Sequence, residues 1–260
     1  LTGLQNNVRA IIWSQGETDG LHGTSTSTYI NEFDTLEKTW KQDFQGFKKI
    51  YIFQTKSETV YPLYGLMAIE EAQRQVAVAD TNIEIMSTYG LNSDAGGLHF
   101  DYTGGYEEFG NRIFSLIARD IYGIATTLEI DAPMITGAYL SDSTTITVTE
   151  KADSLWQHAP GGQIQGYQIT NAMGATIDSI SLKKNKIIFN LSNYPGSAAT
   201  ISNITNFKDS GNWVTNTNNI EVLCFYKYPV ADSINLLVTS VSPHYLTDDI
   251  KAYPNPFHSN

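Results

Sequence analysis

The chain has 260 residues, of which 41% are hydrophobic and 17% charged, a composition typical of globular proteins and unlike that of disordered ones. Because its length exceeds the common size of a single domain, we expect two domains. Acidic residues outnumber basic ones by 27 to 16, which gives a net charge of −11, and both halves are acidic. A chain without a basic region is predicted to bind neither nucleic acid nor an anionic membrane.

The single cysteine, Cys224, excludes an intrachain disulfide and a metal site built from several cysteines. The sequence contains no run of 18 apolar residues, so no membrane-spanning helix is predicted. It starts without Met, and an apolar run of strand length follows at Val8–Trp13. We therefore expect further sequence upstream of Leu1.

The first half alternates between two kinds of pattern. Three short apolar runs are typical of strands covered on both faces: Val8–Trp13, Lys49–Gln54 and Ile83–Ser87. Between and after them, helical spacing and composition predict helices at Ser27–Phe44, Pro62–Ala79 and Thr103–Tyr122. The predicted buried face of the last helix consists of Tyr106, Phe109, Ile113, Phe114, Ile117 and Ile121. This order predicts an α/β fold with a parallel sheet, for which three strands are few.

After Gly123 the helical period ends, and Thr, Ser, Asn, Ile and Val predominate. Six short strands are predicted between turns rich in Gly, Asn, Ser and Pro: Thr144–Thr149, Gly166–Thr170, Ala175–Leu182, Lys186–Leu191, Ala199–Ile204 and Ile220–Tyr226. Such a series predicts an all-β sandwich. We therefore expect an α/β domain at residues 1–124, a linker at Ala125–Pro133, a β-sandwich at residues 132–241 and a polar tail at residues 242–260.

Two polar clusters follow predicted strands, at the strand ends where open parallel sheets bind ligands. The first is Trp13–Gly20 (WSQGETDG), in which Gln15 can donate an amide N–H to an oxyanion and Glu17 can orient a histidine. The second is Asp94–Phe100 (DAGGLHF), in which His99 can act as a general base near neutral pH. An ordinary polar loop and a surface histidine are the alternatives.

These clusters resemble blocks of the SGNH/GDSL-like hydrolases, in the branch of sialate O-acetylesterases and carbohydrate esterase family 6. WSQGETD resembles the WxQGExD block of that branch, and GGLHF, followed by Gly105-Tyr106 and Gly110-Asn111-Arg112, resembles its final block. The helical Glu71-Ala72-Gln73 resembles a segment between the two, and the order agrees over residues 8–122. The resemblance implies a partial three-layer α/β/α, flavodoxin-like SGNH domain that hydrolyses acetyl esters on sugars through an acyl-serine.

The resemblance also implies a role for each matching residue. His99 corresponds to the base, Gln15 and Gly16 line the oxyanion side, and Glu17 supports the histidine. The acid that the family places three residues before the histidine falls on Gly96, so Asp94 is the second candidate for the acid after Glu17.

The family's serine block has no counterpart before Trp13, and Ser14 occupies a variable position of the motif. A nucleophile upstream of this chain is therefore implied, together with an isolated chain that is inactive. The chemistry implied by the resemblance uses no metal and no other cofactor.

The last ten residues, KAYPNPFHSN, resemble the start of the C-terminal sorting domain of the type IX secretion system, although a chance proline-containing end is the alternative. This resemblance implies a secreted or cell-surface protein that meets the secretion machinery. The implied substrate is an acetylated carbohydrate, either xylan-like or sialic-acid-like.

The second half offers no catalytic constellation. Its aromatic residues are predicted mainly as core, with stacking on sugars as the alternative: Trp156, His158, Tyr167, Trp213, Phe225 and Tyr226. The rival to an esterase is therefore a non-catalytic glycan-binding surface protein with a degenerate hydrolase domain.

Overall fold

The computed structural model describes residues 3, 5–56, 63–94, 99–203 and 212–232. Helices and strands alternate in the first half, close to their predicted positions. The strands are β1 (Ala10–Trp13), β2 (Lys49–Phe53) and β3 (Ile83–Met86), and the helices are α1 (Glu17–Leu21), α2 (Thr26–Asp43), α3 (Leu63–Ala79) and α4 (Glu107–Asp120). A 3-10 turn at Gln5–Asn7 precedes β1, and a π-helical segment at Tyr102–Tyr106 precedes α4.

The three strands form one parallel sheet, as predicted, and their order in the sheet is β1-β2-β3. The register pairs Trp13 with Ile52 and Phe53 with Met86, so the carboxyl ends of all three strands lie at one edge. The central strand β2 is almost entirely buried from Ile50 onward because helices and loops cover both of its faces. The polar segments that follow the three strands therefore meet at this edge.

Helix α2 begins where the sequence supplies a cap. The Ser25 hydroxyl accepts a hydrogen bond from the Thr28 backbone N–H, which satisfies one of the unpaired amides of the first turn. The apolar stripe then buries Tyr29, Ile30 and Phe33. Trp13 packs edge-on against Phe33, so the stripe covers the end of β1.

The last helix, α4, turns much of the predicted face inward, including Ile113, but two of the predicted residues are exposed. Phe114 is 68% exposed and Tyr106 is 48% exposed, whereas Arg112 and Leu116 are buried. The helix starts only at Glu107, after the π-helical segment, and the inward position at residue 112 is taken by an ion-paired arginine. The prediction for Phe114 and Tyr106 is wrong because apolar spacing alone does not anticipate a charged residue with a buried partner.

The second half consists of strands and loops. Its strands are β4 (Met134–Asp142), β5 (Thr145–Lys151), β6 (Trp156–Gln157), β7 (Tyr167–Thr170), β8 (Ile177–Lys183), β9 (Lys186–Leu191), β10 (Thr200–Asn203), β11 (Val214–Thr215) and β12 (Phe225–Pro229). They form antiparallel sheets in the orders β4-β5-β9-β8 and β12-β10-β7, with β6 and β11 as a separate pair. Side chains from both larger sheets, including Val148, Phe189, Ile201 and Phe225, share one hydrophobic cluster.

The strand predicted at Ile220–Tyr226 is misplaced, because the observed strand β12 begins only at Phe225. Ile220 and Leu223 belong to the hydrophobic cluster of the first half, whereas Val222 belongs to that of the second half. A bridge between Thr215 and Glu221 joins this segment to β11, while its side chains reach into both cores. The segment predicted as a linker is also anchored, since Ile130 and Ala132 are buried in the first cluster.

Candidate active site

Three polar segments meet at the carboxyl edge of the parallel sheet. Residues 14–16 follow β1, residues 54–56 follow β2, and residues 87–94 follow β3. Because β2 is central, its segment lies between the two clusters that the sequence singles out. Neighbouring strands are about 4.8 Å apart, so the two clusters are separated by roughly 10 Å of sheet.

The segment after β1 is held by a buried hydrogen-bond network. The hydroxyl of Tyr29 and the amide of Gln73 both donate to the Gln15 carbonyl, at 3.1 and 2.9 Å. The Trp13 indole N–H donates to the Tyr29 hydroxyl at 3.2 Å, and burial is the main reason that the pKa of Tyr29 is raised. Gln73 also accepts the Thr55 backbone N–H at 2.8 Å, so one side chain of α3 connects the segments that follow β1 and β2.

Gly16 is required at its position. Its φ of +145° disfavours any side chain, and a Cβ would lie 2.7 Å from the Ile69 side chain and 2.8 Å from that of Thr55. Helix α1 starts at the next residue and packs against α3 through two more glycines, since a Cβ on Gly65 would lie 2.0 Å from the Gly20 carbonyl oxygen. The turn is therefore fixed by close backbone contact.

The side chains of Gln15 and Glu17 lie in different surroundings. The Gln15 side-chain amide is partly buried and donates to the carboxylate of Asp19 one helical turn later. Since an amide nitrogen carries two hydrogens, one N–H is left for a ligand. Glu17 is exposed at the start of α1, and among the described residues no hydrogen bond or ion pair joins it to His99.

The structure brings Asp94 and His99 together. Ser93 and Phe100 form an antiparallel bridge, and the Asp94 backbone N–H donates to the His99 carbonyl at 2.8 Å. The Asp94 carboxylate lies 3.8 Å from His99 Nδ1, which is an ion-pair distance and longer than a hydrogen bond. The His99 side chain is 65% exposed, so its ring is open to a ligand. Gly96, where the family has its acid, lies outside the described residues.

Lys56, which belongs to neither of the two sequence clusters, contacts both residues of this bridge. Its buried ammonium group donates to Ser93 Oγ at 2.6 Å and to the Leu91 carbonyl at 3.3 Å. The same group lies 5.6 Å from the centroid of the Phe100 ring, a cation–π distance. Ser93 and Phe100 are thus both held by the segment that follows β2.

Two other kinds of site are absent from the described parts of the chain. No group of three or more His, Cys, Asp or Glu side chains there is arranged to hold a metal ion. No helix in those parts is long and apolar enough to cross a membrane.

The aromatic residues of the second half divide between core and surface. Phe225 is buried in the second hydrophobic cluster, and Tyr167 packs against that cluster. Trp156 is 60% exposed, and His158 stacks on Trp213 with ring centroids 4.5 Å apart. Core packing, the main prediction, holds for Phe225 and Tyr167, whereas Trp156 has an exposed ring.

Comparison with known proteins finds a likeness to an esterase family in the part of the chain that contains both clusters. Residues 2–119 match the family model described as "Carbohydrate esterase, sialic acid-specific acetylesterase". By sequence, this part of the chain is similar to that esterase family. The match covers the segment that contains Gln15, Gly16, Glu17, Asp94 and His99. None of the curated proteins matches the chain.

Solved structures show a likeness that extends beyond the matched segment. A carbohydrate acetylesterase from Xanthomonas citri superimposes with a TM-score of 0.66 at 18% identity, over 85% of this chain and 51% of that one. The chain therefore shares the fold of about half of that protein, and the shared region reaches into the β-rich half. The N-terminal part of the bacterial S-layer protein SbsC aligns over 82% of this chain and 39% of its own, at 11% identity. Its TM-score of 0.30 is too low to indicate a common fold.

Proposed function

We propose that this protein is a carbohydrate O-acetylesterase of the SGNH type, which removes acetyl groups from sugars through a serine acyl-enzyme. The observation that carries the proposal is the exposed His99 ring with the Asp94 carboxylate at 3.8 Å, at the sheet edge that also holds Gln15 and Gly16. The esterase family match over residues 2–119 supports the same reaction.

In the proposed reaction, His99 Nε2 takes the proton of a serine hydroxyl while the serine oxygen attacks the acetyl carbonyl. The imidazolium then gives this proton to the sugar oxygen as the ester bond breaks. A water, deprotonated by the same nitrogen, attacks the acetyl-serine, and acetate leaves as the serine regains its proton. Asp94 faces Nδ1 throughout and stabilises the imidazolium.

The acid role is proposed for Asp94 ahead of Glu17. A shortening of about 1 Å would turn the 3.8 Å approach into a hydrogen bond, and such bonds are often long before the substrate is bound. Glu17, the acid favoured by resemblance, is exposed on the first turn of α1 and makes no such approach to His99 among the described residues.

The oxyanion is proposed to lie beside Gln15 and Gly16. The remaining amide N–H of Gln15 is the donor, and the network through Tyr29 and Gln73 fixes the backbone that carries it. Gly16 is buried in close contact with Ile69 and Thr55, so it fixes the turn that presents the Gln15 side chain.

The serine is proposed to come from sequence upstream of residue 1, since no SGNH-type serine block precedes Trp13. Export through a type IX sorting signal is proposed on the resemblance of residues 251–260, which lie outside the described residues. A glycan-binding role for the second half is favoured only by the exposed ring of Trp156.

The proposed function is tested by acetate release from an aryl acetate and from an acetylated xylan, in the protein extended upstream to include its serine block. We expect His99→Ala to lower kcat/KM by about a thousandfold or more, because both proton transfers are lost. Asp94→Asn should lower kcat by about a hundredfold, with a smaller effect from Glu17→Gln. His22→Ala, which removes another exposed imidazole, is the control.

Near-normal turnover in His99→Ala would refute the proposed function. If Glu17→Gln lost more activity than Asp94→Asn, the acid role would pass to Glu17 and the geometric argument for Asp94 would fail.

A further inference from the structure

A buried ion pair connects the β-rich half to the helix beside the candidate site. Arg112 of α4 and Glu221, 109 residues later, are both buried, and Arg112 Nη1 lies 2.9 Å from Glu221 Oε2. Ion pairs at this depth contribute little net stability, because removing both charges from water offsets their attraction. Burial is also the main reason that the pKa of Glu221 is raised, with Arg112 acting in the opposite direction. Stability alone therefore does not account for this buried ion pair.

The same guanidinium nitrogen holds the start of the segment that leads to the histidine. Arg112 Nη1 also donates to the Ser87 carbonyl at 2.9 Å and to the Tyr89 carbonyl at 3.3 Å, directly after β3. The Glu221 carboxylate packs against the next residue, since a Cβ on Gly90 would lie 1.9 Å from Glu221 Oε1. Gly90 has a φ of +73°, which turns the chain toward Leu91.

The other end of this segment is held by Lys56, which contacts Leu91 and Ser93. Five residues, from Ser87 to Leu91, therefore run between two buried cations, one of which is oriented by a carboxylate from the β-rich half. Asp94 lies three residues after Leu91, and its backbone N–H donates to the His99 carbonyl. A shift of Arg112 would pass along this short connection to the pair at the site.

We propose that Glu221, acting through Arg112, is a positioning residue that sets the segment from Ser87 to Asp94 and with it the Asp94–His99 pair. This inference rests on the proposed function for its kinetic consequence. It assigns to the β-rich half a contribution to the geometry of the site, in place of a separate accessory role.

The structural part is tested by amide hydrogen exchange on the chain itself. In Glu221→Gln, we expect the Asp94 amide, which donates to His99, to exchange at least about tenfold faster than in the parent protein. The Gly20 amide, on the opposite side of the site, should be unaffected. Asp131→Asn is the matched control, because it breaks the Arg119–Asp131 ion pair on the same helix without a link to Ser87. Unchanged exchange at Asp94 in Glu221→Gln would overturn the proposal.

The double variant Arg112→Met, Glu221→Met separates positioning from stability. Replacing a buried ion pair by apolar side chains of similar volume often restores stability, so the melting temperature should return close to that of the parent. The Asp94 amide should nevertheless stay fast, because no guanidinium remains to hold Ser87 and Tyr89. If stability and protection returned together, the pair would be purely structural and the proposal would fail.

The kinetic part uses the extended protein with an aryl acetate, after titration of the reactive serine with a fluorophosphonate. Per titrated site, Glu221→Gln should lower kcat about tenfold or more with KM within about twofold, while Asp131→Asn should leave both unchanged. An unchanged kcat would overturn the positioning role. A parent protein that releases no acetate would refute the proposed function instead, and hydrogen exchange would still decide the inference.

Discussion

The buried carboxyl group of Glu150 should make the stability of the protein depend on pH. This residue lies in β5 at 1% exposure, and among the described residues neither oxygen of its carboxyl group has a hydrogen-bond partner. Burial therefore raises the pKa of Glu150 well above its ordinary value of 4.5, and the charge of Arg74 offsets this only in part. At pH values between the unfolded and the folded pKa, the folded protein holds a proton there that the unfolded chain has lost.

A carboxyl group whose pKa is raised by folding stabilises the protein below the unfolded pKa and loses this contribution as pH rises toward the folded value. Above pH 4.5, the contribution of Glu150 to the free energy of unfolding should fall by about 1.4 kcal/mol per pH unit. Glu150→Gln removes the ionisation while keeping the shape of the side chain. The variant should therefore match the parent near pH 4 and become progressively more stable than the parent as pH rises above 4.5, with the gain levelling off at the folded pKa.

Urea denaturation of both proteins at pH 4, 5, 6 and 7 measures this difference directly, because every other titrating group is common to the two. Asp142→Asn is a control of opposite sign: the Thr144 backbone N–H lowers the pKa of Asp142, so this variant should lose stability at pH 7, with a loss that shrinks as pH falls below 3.8. A stability difference for Glu150→Gln that is independent of pH, or that is largest at pH 4, would refute the reasoning.

Two further substitutions test how the site is held. Gly16→Ala should lower the free energy of unfolding by about 2 kcal/mol or more, because the new Cβ would lie 2.7 Å from the Ile69 side chain. Gly23→Ala is the control, since Gly23 also has a positive φ but open space around it, and it should lose less stability. Equal losses in urea denaturation would contradict the packing argument. Lys56→Met removes the donor to Ser93 and should lower acetate release about tenfold; full activity would show that the Ser93–Phe100 bridge is held without the ammonium group.

Local sequence patterns were sufficient to predict the strands and the long helices of the first half. Apolar runs and helical spacing predicted all three parallel strands and the three long helices to within a few residues, because periodicity records which faces are buried. The pattern failed at Phe114, which is exposed, because the inward position at Arg112 depends on a carboxylate 109 residues away. It also misplaced the strand near Ile220, whose neighbours serve two cores.

The sequence by itself determined which residues carry candidate chemistry: Gln15, Gly16, Glu17, Asp94 and His99 stand in two recognisable blocks that follow strands. Only the tertiary structure decided how they are arranged. It places Asp94 at 3.8 Å from His99 and leaves Glu17 on the exposed first turn of α1. It also shows two supporting contacts that no sequence motif predicts: Lys56 donates to Ser93, and Arg112 donates to Glu221. Motifs record residue type and spacing along the chain, whereas these supports are contacts between segments that come together only when the sheet and its surroundings fold.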